Sequence, residues 1–171
     1  EDYSFLQYTT VLEELDLSGC ILSADMLSLI GDLKELKVLK LAGCGLSNIQ
    51  SLGGIPALET LDLSNNSISD ITVLSGFQSL TELNLESNAV TVLNALSGMR
   101  SLVTLNLRGN NVTDLSPLTT SYNLTALRVD NNALSGVAAV AEMKQLQEFT
   151  ASHNSITDVS PLAVCDKMTR L

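Results

Sequence analysis

Aliphatic residues recur along this chain at one fixed spacing. The frame L-x-x-L-x-L-x-x-N-x-L-x-x-[IVL]-x-x-L-x5 fits six consecutive 22-residue stretches, opening at Leu36, Leu58, Leu80, Leu102, Leu124 and Leu146. A slightly longer copy opens at Leu12. Two periodicities alternate inside the frame. Around positions 4 to 6 leucines alternate with polar residues (Leu61 and Leu63, Leu105 and Leu107), which predicts a short strand with leucines inward and the intervening side chains outward. The return half carries apolar residues at positions 11, 14 and 17, as in Ile68, Ile71 and Leu74. That stretch is too short for a long helix and predicts 3₁₀ or one- to two-turn pieces. The first frame is the exception: two extra residues and the pattern Leu27, Ile30, Leu33 predict an α-helix within 23–35.

A strict period means stacked units, each touching only its neighbours. Segments 22 residues apart then run the same way and pair as a parallel sheet, with strands ~4.8 Å apart. Position 9 is Asn66, Asn88, Asn110, Asn132 and Asn154, where a buried amide can bond the backbone groups of the turn. Position 12 is Ser or Thr (Ser47, Ser69, Thr91, Thr113, Ser135, Thr157), suited to capping the short helical piece, and Ser116-Pro117 and Ser160-Pro161 add a cap followed by proline. The expected fold is one α/β solenoid over 1–171, a right-handed superhelix with its sheet on the concave face. Its repeats are 12–35, 36–57, 58–79, 80–101, 102–123, 124–145 and 146–167. Residues 1–11 align with a later return half, Asp2-Tyr3-Ser4-Phe5-Leu6 on Asp114-Leu115-Ser116-Pro117-Leu118, and 168–171 restart the frame. Both ends therefore read as cut through repeats, within a larger protein; the alternative is a cap built by Tyr3, Phe5 and Tyr8.

The frame resembles the leucine-rich repeats, and within them the 22-residue subclass. The runs Leu61-Asp62-Leu63-Ser64-Asn65-Asn66-Ser67-Ile68 and Ser155-Ile156-Thr157-Asp158-Val159-Ser160-Pro161-Leu162 are similar to repeats of bacterial internalins, and equally to those of the intracellular regulator of type-one protein phosphatase and its ciliary and dynein-associated relatives. The resemblance covers residues 12–167. It implies a protein-binding module that uses its concave sheet.

Charge narrows the partners. A formal net charge of −10 and a pI near 4.3 argue against a nucleic-acid partner, which requires a basic face, and disfavour anionic membranes, leaving a mild bias towards partners with basic patches. No apolar run is long enough to span a bilayer. Cys20 and Cys44 fall at position 9 and Cys165 elsewhere in the frame; an odd number at buried positions reads as reduced thiols in a reducing compartment, with a Cys20–Cys44 disulfide as a minor alternative.

Chemistry is sparse. The single histidine, His153, has no nearby cysteine, and no zinc spacing or phosphate-binding loop occurs. Asp70, Asp114 and Asp158 fit acidic first-turn positions better than a calcium column, because Val92 and Gly136 interrupt the series. No cofactor, metal or small-molecule substrate is expected, and no catalytic residue. The outward columns carry two acid–base–acid ladders, Asp16/Lys40/Asp62 and Glu86/Arg108/Asp130. These are either cross-strand pairs that suit a solvated sheet, or part of a protein-binding patch formed by Glu82, Glu86, Arg108, Arg128, Asp130, Glu148 and His153. Arg108 and Arg128 are the foremost candidates, since contact hot spots favour Arg; the face offers no Trp, Tyr or Phe.

Three readings follow. The first is a non-enzymatic protein-interaction scaffold inside the cell, in the cytoplasm and in cytoskeletal or ciliary settings. The second is an extracellular or cell-surface recognition domain of internalin type. The third is an accessory region of a multidomain enzyme.

Overall fold

A computed structural model describes residues 4–171; Glu1, Asp2 and Tyr3 lie outside the described residues, and with them the start of the expected partial repeat. Strands β1 (Glu14–Asp16), β2 (Val38–Lys40), β3 (Thr60–Asp62), β4 (Glu82–Asn84), β5 (Thr104–Asn106), β6 (Ala126–Arg128) and β7 (Glu148–Thr150) form one parallel sheet in sequence order. The register is constant: Asp62, Asn84, Asn106 and Arg128 stand in a row as Cα partners on successive strands. Leu83, Leu105 and Leu127, central in their strands, point into the core, each at most 1% exposed. The strands sit one position earlier than the leucine alternation suggests. Each is only three residues long, because the chain must bend at position 6 to reach the turn.

The turn has two devices. Position 8 adopts a left-handed conformation on every rung: Gly19, Gly43, Asn65, Ser87, Gly109, Asn131 and His153, with φ between 53° and 77°. Glycine suits that region, and asparagine and histidine are the side chains enriched there; Ser87 alone belongs to none of the three types. Position 9 then staples neighbouring repeats. The Asn110 amide nitrogen donates to the carbonyls of Leu85 (2.8 Å) and Leu107 (3.0 Å), while its Oδ1 accepts from the Val90 N–H at 2.9 Å. Asn66, Asn88, Asn132 and Asn154 repeat this pattern. Cys44 substitutes with a thiol that donates to the Leu17 carbonyl at 3.2 Å. Cys20, Cys44 and Cys165 are free thiols, so no Cys20–Cys44 disulfide is formed. Burial raises the pKa of Cys44 and of Cys165, which keeps both protonated and unreactive.

The convex side is built from 3₁₀ turns, among them Gln50–Gly54, Thr72–Gly76, Ser116–Thr120 and Ser160–Val164. The expected capping by position 12 is not what forms. Each of these turns begins three residues later, flanked by an aliphatic residue with no side-chain cap. Position 13 supplies the acceptor instead: Asp70, Asp114 and Asp158 take the N–H of Thr72, Ser116 and Ser160 at 2.8–2.9 Å, and Asn48 does the same for Gln50. A two-residue reach matches an Asx turn, which position 12 cannot span. The prolines of Ser-Pro do fall at the start of their turns.

The α-helix of the first repeat is α1 (Ala24–Gly31), shorter than the stretch that predicts it, and its first N–H groups are capped by Ser23. Its last residue packs directly on the next repeat. A Cβ at Gly31 would lie 2.0 Å from the Ser51 carbonyl oxygen, so only glycine allows this approach. Before β1, the 3₁₀ turn Ser4–Tyr8 matches Ser116–Thr120 in the aligned return half. Leu6 is the buried residue there and Phe5 and Tyr8 are exposed, while Tyr3, the third residue of the alternative aromatic cap, lies outside the described residues.

Candidate protein-binding face

Parallel stacking turns positions 3, 5 and 7 of each repeat into three outward columns on the concave wall. Glu82 (β4) and Glu148 (β7) occupy the first, Arg128 (β6) the second, and Glu86, Arg108 and Asp130 the third, just past their strands. His153 lies one residue beyond that column, in the left-handed turn, and is exposed. Phe149, the aromatic residue of β7, points into the core.

The two predicted ladders form only in part. In the Asp16/Lys40/Asp62 series the residues are Cα partners, yet Lys40 pairs with Glu14 at 3.7 Å. Asp16 and Asp62 turn back to accept the N–H of Ser18 and Ser64, at 3.0 and 2.8 Å. The Ser18 N–H is the main cause that lowers the Asp16 pKa. A turn N–H two residues on lies closer to each carboxylate than a cation across the sheet. In the second series Arg108 approaches Glu86 only to 3.9 Å, while the Asn106 amide takes the other Glu86 oxygen at 2.9 Å. Asp130 does not pair with Arg108. It accepts from Thr150 Oγ1 (2.5 Å), Ser152 Oγ (2.6 Å) and Ser152 N–H (2.9 Å). Partial burial pushes its pKa upward, but these donors outweigh it and hold the carboxyl below its ordinary range.

The strongest ion pair on the face is a diagonal one. Arg128 Nε and Nη2 bond the two Glu148 oxygens at 2.7 and 2.9 Å, and Arg170 adds a contact to Glu148 at 3.1 Å. The Arg128 hydrogen bond, ahead of its charge and that of Arg170, depresses the Glu148 pKa. Arg170 escapes a repeat-by-repeat reading because its frame is incomplete. It nevertheless joins β7 through a parallel bridge from Glu148, and its place in the position-3 column beside Glu148 was readable from the spacing. Two shallow depressions mark the wall: about 240 Å³ over β3–β5, bordered by Lys40, Asp62, Glu82 and Asn106, and about 380 Å³ between Arg108, Arg128, Arg170 and His153. Among the described residues no group of three or more His, Cys, Asp or Glu is placed to hold a metal ion, and no helix is long and apolar enough to cross a membrane.

The rungs, the asparagine column and the outward wall define a leucine-rich-repeat domain, and the chain belongs to the leucine-rich-repeat family. The family profile described as "Leucine Rich repeats (2 copies)" matches residues 34–76, 56–96 and 78–120, and that described as "Leucine Rich Repeat" matches 11–33. No curated protein matches the chain. Among solved structures it is similar to an internalin C2 of Listeria monocytogenes, at 33% identity and a TM-score of 0.92, covering 97% of this chain and 74% of that one. An internalin, inlF, of the same organism is 24% identical with a TM-score of 0.80, covering 99% of this chain and 63% of that one. The ectodomain of the Arabidopsis thaliana membrane receptor kinase GASSHO1/SCHENGEN3, solved in complex with CASPARIAN STRIP INTEGRITY FACTOR 2, is 22% identical with a TM-score of 0.78, covering 94% of this chain and 24% of that one. At those lower identities the likeness is one of fold.

Proposed function

We propose that this domain is a non-enzymatic scaffold that binds a protein partner on its concave sheet, with Glu82, Glu86, Arg108, Arg128, Asp130, Glu148 and His153 at the contact. The observation that carries the proposal is the register: seven strands hold their outward side chains on one preformed wall. Such a wall loses little conformational freedom on association. Family membership supports it, since leucine-rich repeats are typically protein-interaction modules, and one structural neighbour was solved with its binding factor. The test is selection of binders from a displayed protein library on the whole chain, followed by two variants. Thr104→Trp, on the outward column of β5, is expected to abolish binding by most selected clones; Ser75→Trp, on the convex side, is expected to leave it intact. Clones that tolerate Thr104→Trp and fail with Ser75→Trp would overturn the proposal.

For location, the three free thiols and the absence of a paired-cysteine cluster support an intracellular, reducing setting. A second reading, a cell-surface recognition domain, is favoured by the 33% identity to an internalin across 97% of the chain. Protease added to intact source cells separates them: an intracellular protein survives, and a surface-displayed one is cut.

A further inference from the structure

The C-terminal half of the wall departs from the charge of the whole. The chain carries −10, yet the 380 Å³ depression is lined by three guanidiniums, Arg108, Arg128 and Arg170, against one carboxylate, Asp130. That carboxylate is already saturated by the three donors of Thr150 and Ser152. Arg128 is likewise committed, clamped by both oxygens of Glu148. The other two arginines are not. Arg108 is 54% exposed with its nearest carboxylate oxygen at 3.9 Å, outside hydrogen-bond range. Arg170 uses one nitrogen on Glu148 and stays 67% exposed. Two forks of open N–H donors thus stand on either side of a fixed Arg128–Glu148 post.

The geometry points to an acidic segment of a protein as the occupant, with Asp or Glu side chains taking the open N–H groups of Arg108 and Arg170. This rests on the concave-face proposal above and names the partner's chemistry. Guanidinium forks match carboxylates in bidentate geometry. Residues 108 and 170 are three rungs apart and four positions offset, so their Cα atoms are roughly 20 Å apart, the span of about six extended residues. The remainder of the wall limits the length of the acidic stretch. Glu14, Asp16, Asp62 and Glu82 face out from β1–β4, balanced only by Lys40. A long polyanion such as nucleic acid or a sulfated glycan would run onto those carboxylates, whereas a short acidic stretch ends before them.

The test uses the whole chain and three fluorescein-labelled probes at low salt: a capped octapeptide of alternating glutamate and serine, its glutamine counterpart, and a heparin hexasaccharide. The glutamate peptide is expected to bind at least about tenfold more tightly than the glutamine peptide, equivalent to one decade in Kd. Arg108→Glu and Arg170→Glu should each remove that advantage, and Ser75→Trp should not; circular dichroism confirms that each variant is folded. Three results overturn the assignment: no preference for glutamate, a preference that survives both arginine reversals, or tighter binding of the hexasaccharide than of the glutamate peptide. If the glutamate peptide fails while library-derived clones still depend on Thr104, the concave wall stands and only the acidic partner falls.

Discussion

Asn110 does the work of several residues at once. One buried amide closes two carbonyls and one N–H belonging to two repeats. Asn110→Ala leaves these groups buried without partners and is expected to cost about 2–4 kcal/mol, measured by urea unfolding; a loss below about 0.5 kcal/mol would contradict the stapling role. Ser121 is the opposite case. It occupies the column that holds Ile55, Phe77, Met99 and Met143 in other repeats, fully buried, and its hydroxyl has no hydrogen-bond partner. Ser121→Ala should therefore stabilise the protein by about 1 kcal/mol. At position 8, Ser87→Gly relieves a left-handed backbone at φ 56° and should raise stability by about 0.5–1 kcal/mol; a fall in the urea midpoint would contradict this. The asparagine column was legible in the sequence because it repeats without interruption over five frames. The left-handed column was equally written there, as Gly, Gly, Asn, Ser, Gly, Asn, His. It passes unnoticed because no single residue type dominates it.

At the scale of elements, register follows directly from the period, and strand position follows to within one residue. Side-chain pairing does not, because the period says which Cα atoms are neighbours and not where long side chains turn. Glu86, Arg108 and Asp130 share one column, but the local donors of Thr150 and Ser152 claim Asp130 and the Asn106 amide shares Glu86. Arg128 reaches diagonally to Glu148 because that carboxylate presents both oxygens to its fork. The position-12 caps fail for a related reason: a hydroxyl three residues before the turn cannot reach what an aspartate two residues before it can. The β6–β7 charges also set a pH response. Glu148 and Asp130 both have folded pKa values below their ordinary ones. Carboxylates of this kind contribute stability fully above their unfolded pKa, and lose it as pH falls through the folded value. The urea midpoint is expected to hold from pH 7 to about 5 and to decline below about 4. Glu148→Gln should flatten part of that decline, and an unchanged acid limb would show that the pair is not coupled to folding.

Residues 4–171 form a one-dimensional stack in which β2 to β6 each pair with two neighbouring strands and β1 with one. Within this 171-residue chain stability then varies along the axis, and a strand paired on one side opens more readily than one paired on both. The Leu85 N–H, bonded to Asn106 O in the middle of the sheet, should exchange with deuterium at least about tenfold more slowly than the Leu17 N–H, bonded to Lys40 O beside the first strand. Equal rates would mean global unfolding without a gradient. This linear design also explains why the fold was readable and the partner was not. The leucine frame repeats, so periodicity reveals it. The outward columns vary from rung to rung, and recognition lives in that variation. The account depends most on the claim that recognition uses the concave wall. The direct measurement is an amide chemical-shift map of the ¹⁵N-labelled chain with a library-selected protein bound. Perturbations concentrated at Asn84, Asn106, Arg108, Arg128 and Thr150 are predicted. Perturbations gathered instead on the convex side, around Asp114, Gly136 and Glu142, with the wall resonances unmoved, would contradict it.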